Sequence, residues 1–321
     1  MNDAQGWDAE LAERARPAVS PLLQSWAWGE VQARAGWRVE RLRLSAGMAS
    51  VQLRGRPPFE RAYVPRGPLP VAGEVLTELV TWARERGLAR LRVEPEVGPE
   101  LAATLRERGF QPGPQVQPQH TMVVKLEGGE EGVLASFNRG TRYNIRLAEK
   151  RGVQVEEGAD AEELARQAGA SAARQGINLP PASYYRLLLE KLPVCRTYVA
   201  RVAGEPVAAM LVIQHDGRGY YMFSGSNGRH RELKPVYAAK WAAIRAAIRA
   251  GCHDYDLWGV PPGPDRAHPW YGLWEFKSGF NGELIEYAGC WDLVFGELRQ
   301  GVSEAGERAR RRIGKLLRRG D

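Results

Sequence analysis

The stretch Thr197–Ser224, TYVARVAGEPVAAMLVIQHDGRGYYMFS, decides the fold. Its β-branched, apolar and aromatic residues fall into three runs, Thr197–Val202, Pro206–His215 and Gly219–Ser224, broken at Ala203-Gly204 and Asp216-Gly217. Tight hairpin turns need positive φ, which Gly adopts without a steric cost, so a Gly in each break predicts an antiparallel meander. A loop, Asn227–Pro235, leads into Val236–Ala250, where apolar residues recur at helical spacing. Gly251 suits the position after the helix end, and Tyr255–Trp258 reads as a further strand.

The same order occurs earlier in the chain. Arg41–Leu44, Ala49–Leu53 and Arg61–Val64 read as strands, followed by the Pro/Gly-rich loop Pro65–Gly73. An amphipathic helix, Val75–Arg86, carries Leu76, Leu79, Val80 and Ala83 on one face; Gly87 ends it, and Leu91–Glu94 is the next strand. Glu94 lies seven residues after Gly87, and Trp258 lies seven after Gly251. Meander, helix and strand, twice over, predict an α+β chain of two related halves with mixed sheets flanked by helices. Between them Glu131–Arg151 reads as one long helix, with Leu134, Phe137, Thr141, Ile145 and Ala148 as its packing face. Arg139, Arg142, Arg146 and Lys150 occupy another face. A last helix from about Ser303 carries an apolar stripe, Ala305, Ala309, Ile313, Leu316 and Leu317, and is expected to dock.

Composition narrows the class. At 321 residues, 44% hydrophobic and 26% charged, the chain is that of an ordinary globular protein with room for two cores. The first 30 residues carry Asp3, Asp8, Glu10 and Glu13 and no long apolar run, so the expectation is a cytoplasmic protein without a secretory signal. Three widely spaced cysteines read as buried thiols. The net charge of +7 and pI near 9.4 favour a polyanionic ligand without requiring one.

Phosphate-loop and Gly-rich dinucleotide signatures are absent, as is a GxSxG nucleophile elbow. The five histidines lack metal-ligand spacing, so neither a metal nor a cofactor is expected. What stands out is Trp270–Phe280, WYGLWEFKSGF: aromatics ahead of a single lysine, bracketed by two glycines. Read as a functional loop, its aromatics stack on a base or sugar while Lys277 meets a phosphate or a developing oxyanion. Read blandly, it is a hydrophobic loop with a solvated lysine.

This segment resembles the GLYxFKxGF motif of the Fem family, the peptidoglycan-bridge aminoacyltransferases. Gln24-Ser25 with Trp28 is similar to that family's QSxxW, and Tyr63–Pro68 to its YxPRGP. Thr141–Arg146 is similar to its TRYNIR helix, and Asp254–Gly259 to its YDFWG strand. The resemblance runs in order over roughly residues 22 to 295. It implies two tandem GNAT-like domains, here 1–130 and 131–296, with the last helix, 297–321, packed back on the first. No heptad run is present, so the coiled-coil arm of some relatives is not expected.

The resemblance further implies an aminoacyl-tRNA donor and a peptidoglycan precursor as acceptor, an amine attacking the tRNA ester. Lys277 falls on the family's oxyanion-stabilising lysine. Phe276 is expected to hold the acceptor or the terminal adenosine. Glu94 sits where the family has an Asp-Pro, which makes it a candidate base or amine anchor. Arg66 is a candidate for acceptor phosphate, with Tyr221, Trp258, Tyr271 and Trp274 as further substrate contacts; plain packing is the alternative for each. Arg142, Arg146 and Lys150 are expected to meet tRNA or a lipid head group, unless they form only a solvated face.

Relatives acting on the soluble nucleotide precursor have an Arg-x-x-x-Tyr near Asn178–Tyr185 and a lysine shortly after the N-terminal tryptophan. Here those stretches read Pro180–Tyr185 and Glu30-Val31-Gln32, so a lipid-linked acceptor, with peripheral contact at the inner face of the membrane, is the expectation. Two alternatives compete: a GNAT-type N-acetyltransferase using acyl-CoA, and a non-catalytic protein that binds RNA or a membrane surface. Neither loop supplies the [QR]xxGx[GA] pyrophosphate turn of the first, and the complete FKSGF loop argues against the second.

Overall fold

A computed structural model describes residues 3–175 and 179–295. In chain order the elements are α1 (Asp3–Ala15), α2 (Trp26–Arg34), β1 (Arg38–Arg43), β2 (Met48–Arg54), β3 (Arg61–Pro65), α3 (Gly73–Glu85), β4 (Arg90–Glu94), α4 (Ala102–Glu107) and β5 (Gln111–Pro112). There follow β6 (His120–Lys125), α5 (Gly129–Ser136), α6 (Arg139–Lys150), β7 (Gln154–Gly158), α7 (Ala161–Gln175), α8 (Ala182–Lys191), β8 (Cys195–Val202), β9 (Glu205–His215) and β10 (Arg218–Ser226). The last are α9 (Pro235–Arg249), β11 (Asp254–Gly259), α10 (Tyr271–Ser278), β12 (Glu283–Glu286) and β13 (Trp291–Val294).

The described chain forms two units. One comprises the residues up to Arg16, Leu23–Gln117 and those from Tyr287; the other comprises Pro17–Leu22 and Pro118–Glu286. The divisions fall at 117/118 and 286/287, where the sequence pattern put them at 130/131 and 296/297. The difference comes from two strands that local pattern cannot assign. β6 pairs with β11 and β12, so it belongs to the second sheet; β13 pairs with β4 and β5, so it belongs to the first. The final helix, 297–321, lies outside the described residues.

The first sheet runs β1-β2-β3-β4-β13-β5. β1, β2 and β3 pair antiparallel, and β3 then pairs parallel with β4 across the α3 crossover. One face packs Ala49, Val51, Leu53, Ala62, Val64, Leu91 and Val93 against Leu76, Leu79, Val80 and Ala83 of α3, all buried. The period-2 alternation of the strands and the single apolar stripe of the helix produce that layer pair directly.

The second sheet runs β12-β6-β11-β10-β9-β8-β7. β8, β9 and β10 form the expected meander, and β10 pairs parallel with β11 after the α9 crossover. The order of unit one thus recurs, yet the parallel pairs differ. β3 and β4 pair from Arg61/Arg90 through Pro65/Glu94. β10 and β11 pair only at Arg218/Asp254, Gly219/Tyr255 and Tyr220/Asp256, after which register shifts appear at Tyr221/Phe223 and Asp256/Gly259. The second sheet therefore opens beyond Tyr220.

The expected single helix Glu131–Arg151 is two. α5 ends at Phe137, and Asn138 begins α6 in extended backbone, its side chain accepting from Thr141 N at 2.7 Å. An N-cap Asn satisfies an otherwise unpaired amide of the first turn, which makes a restart more stable than a continuous helix here. Among the described residues no helix is long and apolar enough to cross a membrane.

Candidate active site

Lys277 sits in the last turn of α10 and is 4% exposed. Its Nζ donates to the carbonyl oxygen of Gly259 on β11 at 2.9 Å and lies 5.3 Å from the centroid of the Tyr221 ring on β10. The side chain thus reaches both strands where they diverge. Burial pushes the ammonium down to about 7, with the Asp256 carboxylate pulling the other way. A lysine poised near neutrality in a water-poor site answers strongly to any negative charge that develops beside it.

The neighbouring backbone is also held in place. Asp256, 2% exposed, accepts from Thr121 Oγ1 and, at 2.7 Å, from the backbone amide of Trp258. Trp258 has φ 62, a left-handed conformation that costs about 1–3 kcal/mol for a bulky residue and persists only where its surroundings fix it. That twist precedes Gly259, the acceptor for Lys277. Trp258 meets Tyr220 edge-on at 6.3 Å.

Sequence reading missed Lys240. It lies on α9, is 0% exposed, and its Nζ packs on the Tyr221 ring and lies 5.7 Å from that of Tyr255. No described atom accepts a hydrogen bond from it. Burial holds its amine well below the ordinary lysine range, and the charge on Lys277 pushes the same way. Two amines thus share one aromatic ring, and Lys277, with a carbonyl acceptor and Asp256 nearby, is the better placed to carry the proton. In an Ala-rich helix Lys240 reads as an ordinary solvent-facing lysine; only its period relative to Ala239, Ala243 and Ala247 signals otherwise.

Phe276 is half-buried and belongs to an aromatic cluster. It meets Tyr237 at 5.1 Å and Phe280 at 5.4 Å, while Phe280 also meets Phe137 at 5.1 Å. Trp274 packs on the same core, and Tyr271 lies 5.9 Å below the Arg266 guanidinium. Tyr221 is 6% exposed, its hydroxyl bonded to Ser224, with burial raising its pKa to about 12. Tyr221 is therefore first of all a wall beside the Lys277 amine, and Phe276 a member of the aromatic cluster around Tyr237 and Phe280.

Of the basic residues expected on the α6 face, Arg142 has another task. Its guanidinium donates to the carbonyls of Ala135, at 3.0 Å, and Phe137, capping the end of α5. Arg146 and Lys150 are exposed.

The remaining candidates lie in unit one. Glu94, 1% exposed, accepts from Tyr63 OH and from the amides of Val116 and Gln117 at 3.0 and 2.9 Å. Burial and the neighbouring carboxylate hold the Tyr63 phenol well above its ordinary value, so it remains a donor. Such occupancy is that of a loop anchor, and leaves little of the carboxylate for a proton from substrate. Arg66 has φ 52, is 3% exposed, and its guanidinium stacks 4.4 Å from the Tyr287 ring centroid.

The QS and YVPRGP segments brace each other. Gln24, 0% exposed, accepts from Ser50 N at 2.7 Å and donates to Pro65 O at 2.5 Å. A Cβ on Gly67 would stand 2.6 Å from Gln24 Cδ, so only glycine admits the brace. Ser25 caps α2 by accepting from Trp28 N at 3.2 Å.

Two mixed sheets of this order, each a meander feeding a parallel pair through a helix, define a tandem GNAT-like chain. Its match to the FemAB family covers residues 100–194 and 197–305, more than half of its length, and the chain belongs to that family. It is similar to the Lipid II:glycine glycyltransferase of Staphylococcus saprophyticus, 22% identical over 364 residues spanning 85% of this chain and 88% of the relative. The corresponding enzyme of Staphylococcus epidermidis is 24% identical over 368 residues, spanning 86% and 88%. Among solved structures, FemX superposes with a TM-score of 0.80 at 21% identity, covering 94% of this chain and 99% of that one. A tandem GNAT protein from the clavulanic acid pathway gives 0.57 at 15% identity, covering 92% and 96%.

Proposed function

We propose that this protein is an aminoacyltransferase that moves an amino acid from aminoacyl-tRNA to an amine of a lipid-linked peptidoglycan precursor, building the interpeptide bridge. The observation that carries the reading is Lys277, a buried ammonium spanning the opening between β10 and β11 in a FemAB chain. Relatives named for glycine transfer to lipid II support the acceptor class.

The tRNA ester is already activated, so the reaction needs positioning and charge stabilisation more than a covalent intermediate. The acceptor amine, having lost one proton, attacks the ester carbonyl. A C–N bond forms and the carbonyl electrons move to oxygen. Lys277, protonated, faces that oxyanion; the developing charge raises its hold on its own proton, so stabilisation grows along the reaction. The tetrahedral adduct collapses with loss of the ribose oxygen, which takes the second amine proton. Asp256 and the Gly259 carbonyl keep the ammonium aimed, and the Tyr221 ring excludes water beside it. The half-buried Tyr271 and Trp274 are left as contacts for the acceptor and the terminal adenosine.

Purified protein given radiolabelled aminoacyl-tRNA and lipid-linked muropeptide is expected to move label into lipid. Label retained on tRNA, with acetylation of an amine from acetyl-CoA instead, contradicts the reading.

A further inference from the structure

α6 presents one face with a consistent character. Arg139, Tyr143, Arg146 and Lys150 fall within an arc of about 60° at 3.6 residues per turn, and all four are exposed, Tyr143 by 62%. The opposite face, Thr141, Ile145 and Ala148, is buried. Five arginines elsewhere in this unit are answered by acids: Arg166 by Glu163, Arg186 by Glu162, Arg201 by Glu156, Arg229 by Glu205 and Arg249 by Glu130. Among the described residues no carboxylate pairs with Arg139, Arg146 or Lys150. Uncompensated charge of one sign along about 16 Å of helix is the footprint of a polyanion.

The helix is also tied to the catalytic segment. Asn138, its N-cap, donates its backbone amide to Gly279 O at 3.0 Å, two residues beyond Lys277. A Cβ on Gly279 would run into Thr141 Oγ1 and stand 3.3 Å from Asn138 Nδ2, so the first turn of α6 and the end of α10 are in direct contact. A ligand lying along the stripe therefore has a fixed relation to Lys277.

We infer that the stripe Arg139–Tyr143–Arg146–Lys150 is the docking surface for the phosphodiester backbone of the donor tRNA, with its Arg139 end toward the reactive lysine; this rests on the reading that the donor is aminoacyl-tRNA. A bilayer is the other anionic surface in question. Bilayer docking needs exposed aliphatic area beside the cations, and the stripe exposes none. It offers instead a single aromatic face among cations, the pattern of backbone binding with a base stacked on a ring.

The test uses the full chain, an uncharged tRNA transcript and phosphatidylglycerol vesicles. Arg139→Gln/Arg146→Gln/Lys150→Gln is compared with wild type and with Arg186→Gln/Arg201→Gln/Arg229→Gln, a control removing three cations that are already paired. Neutralising three phosphate contacts makes the slope of log K against log salt shallower by about 2 and weakens binding at low salt by roughly tenfold or more. The control keeps the wild-type slope, and both triple variants melt with the wild type. Salt-dependent wild-type RNA binding that the α6 variant leaves intact overturns the docking surface while the transfer reading stands. A wild type that neither binds the transcript nor transfers from charged tRNA overturns both. Loss of vesicle binding with unchanged RNA binding assigns the stripe to the membrane and overturns the inference.

Discussion

Lys277 Nζ donates to the carbonyl oxygen of Gly259 at 2.9 Å, and that bond joins the last turn of α10 to the strand that has just left its parallel partner. In the first unit the corresponding strands stay paired to Pro65/Glu94, and Tyr63 on one donates to Glu94 on the other. The duplicated fold therefore has one closed copy and one open copy, and Lys277 belongs to the open one.

The charge of Lys277 should show in the pH profile. Lys277 loses its proton near pH 7, whereas a free lysine-type acceptor amine does so near about 10.4. Catalysis that needs the ammonium and the neutral amine together rises with slope one below about pH 7 and then levels, because gain of amine offsets loss of ammonium. We expect kcat/KM to follow that curve. In Lys277→Arg, which stays charged, the rise should continue through pH 7 to 9, and residual activity should exceed that of Lys277→Met. Equal inactivity of both variants would instead assign Lys277 the role of a base.

Lys240 should cost the fold stability. Both buried amines hold protons less tightly folded than unfolded, so the unfolded chain is the better proton binder. Stability then rises with pH toward the ordinary lysine range of about 10.4 and is lowest on the acid side, where both amines would be charged. Lys240→Met, close in shape and without the amine, should stabilise the protein by about 1–4 kcal/mol at pH 7, with a smaller gain at pH 9.5. Thermal melts at several pH values decide this, and a destabilised variant at every pH would contradict it.

Gly279→Ala should loosen the junction between α10 and α6. Overpacking against Thr141 Oγ1 is expected to cost about 1–3 kcal/mol. Adding Thr141→Ala should recover part of that loss, and a double-mutant cycle in urea measures the coupling. Simple additivity would mean that the two helices do not meet as described.

Glu94→Gln separates the two roles open to that carboxylate. As the anchor of Val116 and Gln117 it contributes to stability, so the variant should melt lower while transfer falls by less than the roughly 100-fold that loss of a general base costs. A larger fall in rate at unchanged stability would restore the base.

Much of the architecture was legible because it is local. The β-branched runs, their Gly turns and the stripes of α3 and α9 predict β1–β4, β8–β11 and those two helices to within a few residues. What was hidden depends on long-range pairing or on a competing partner. β6 and β13 look like any short strand until their neighbours are known. The break at Phe137–Asn138 was readable in principle, since an Asn three residues before Thr141 is a cap signal, but continuous helical periodicity outweighed it. Arg142 shares its spacing with Arg146, yet the carbonyls ending α5 claim it. Of the site, Lys277 stood out through its aromatic company. Lys240 did not, because a lysine buried on an aromatic ring and one in water have the same letter and the same helical spacing.

If Lys277 stabilises charge present only in the transition state, single-turnover transfer by Lys277→Met should be slower by roughly 10²–10³-fold, as for loss of an oxyanion donor. Donor and acceptor binding and the melting temperature should change little. An unaltered transfer rate, or lost binding at an unchanged maximal rate, would contradict it.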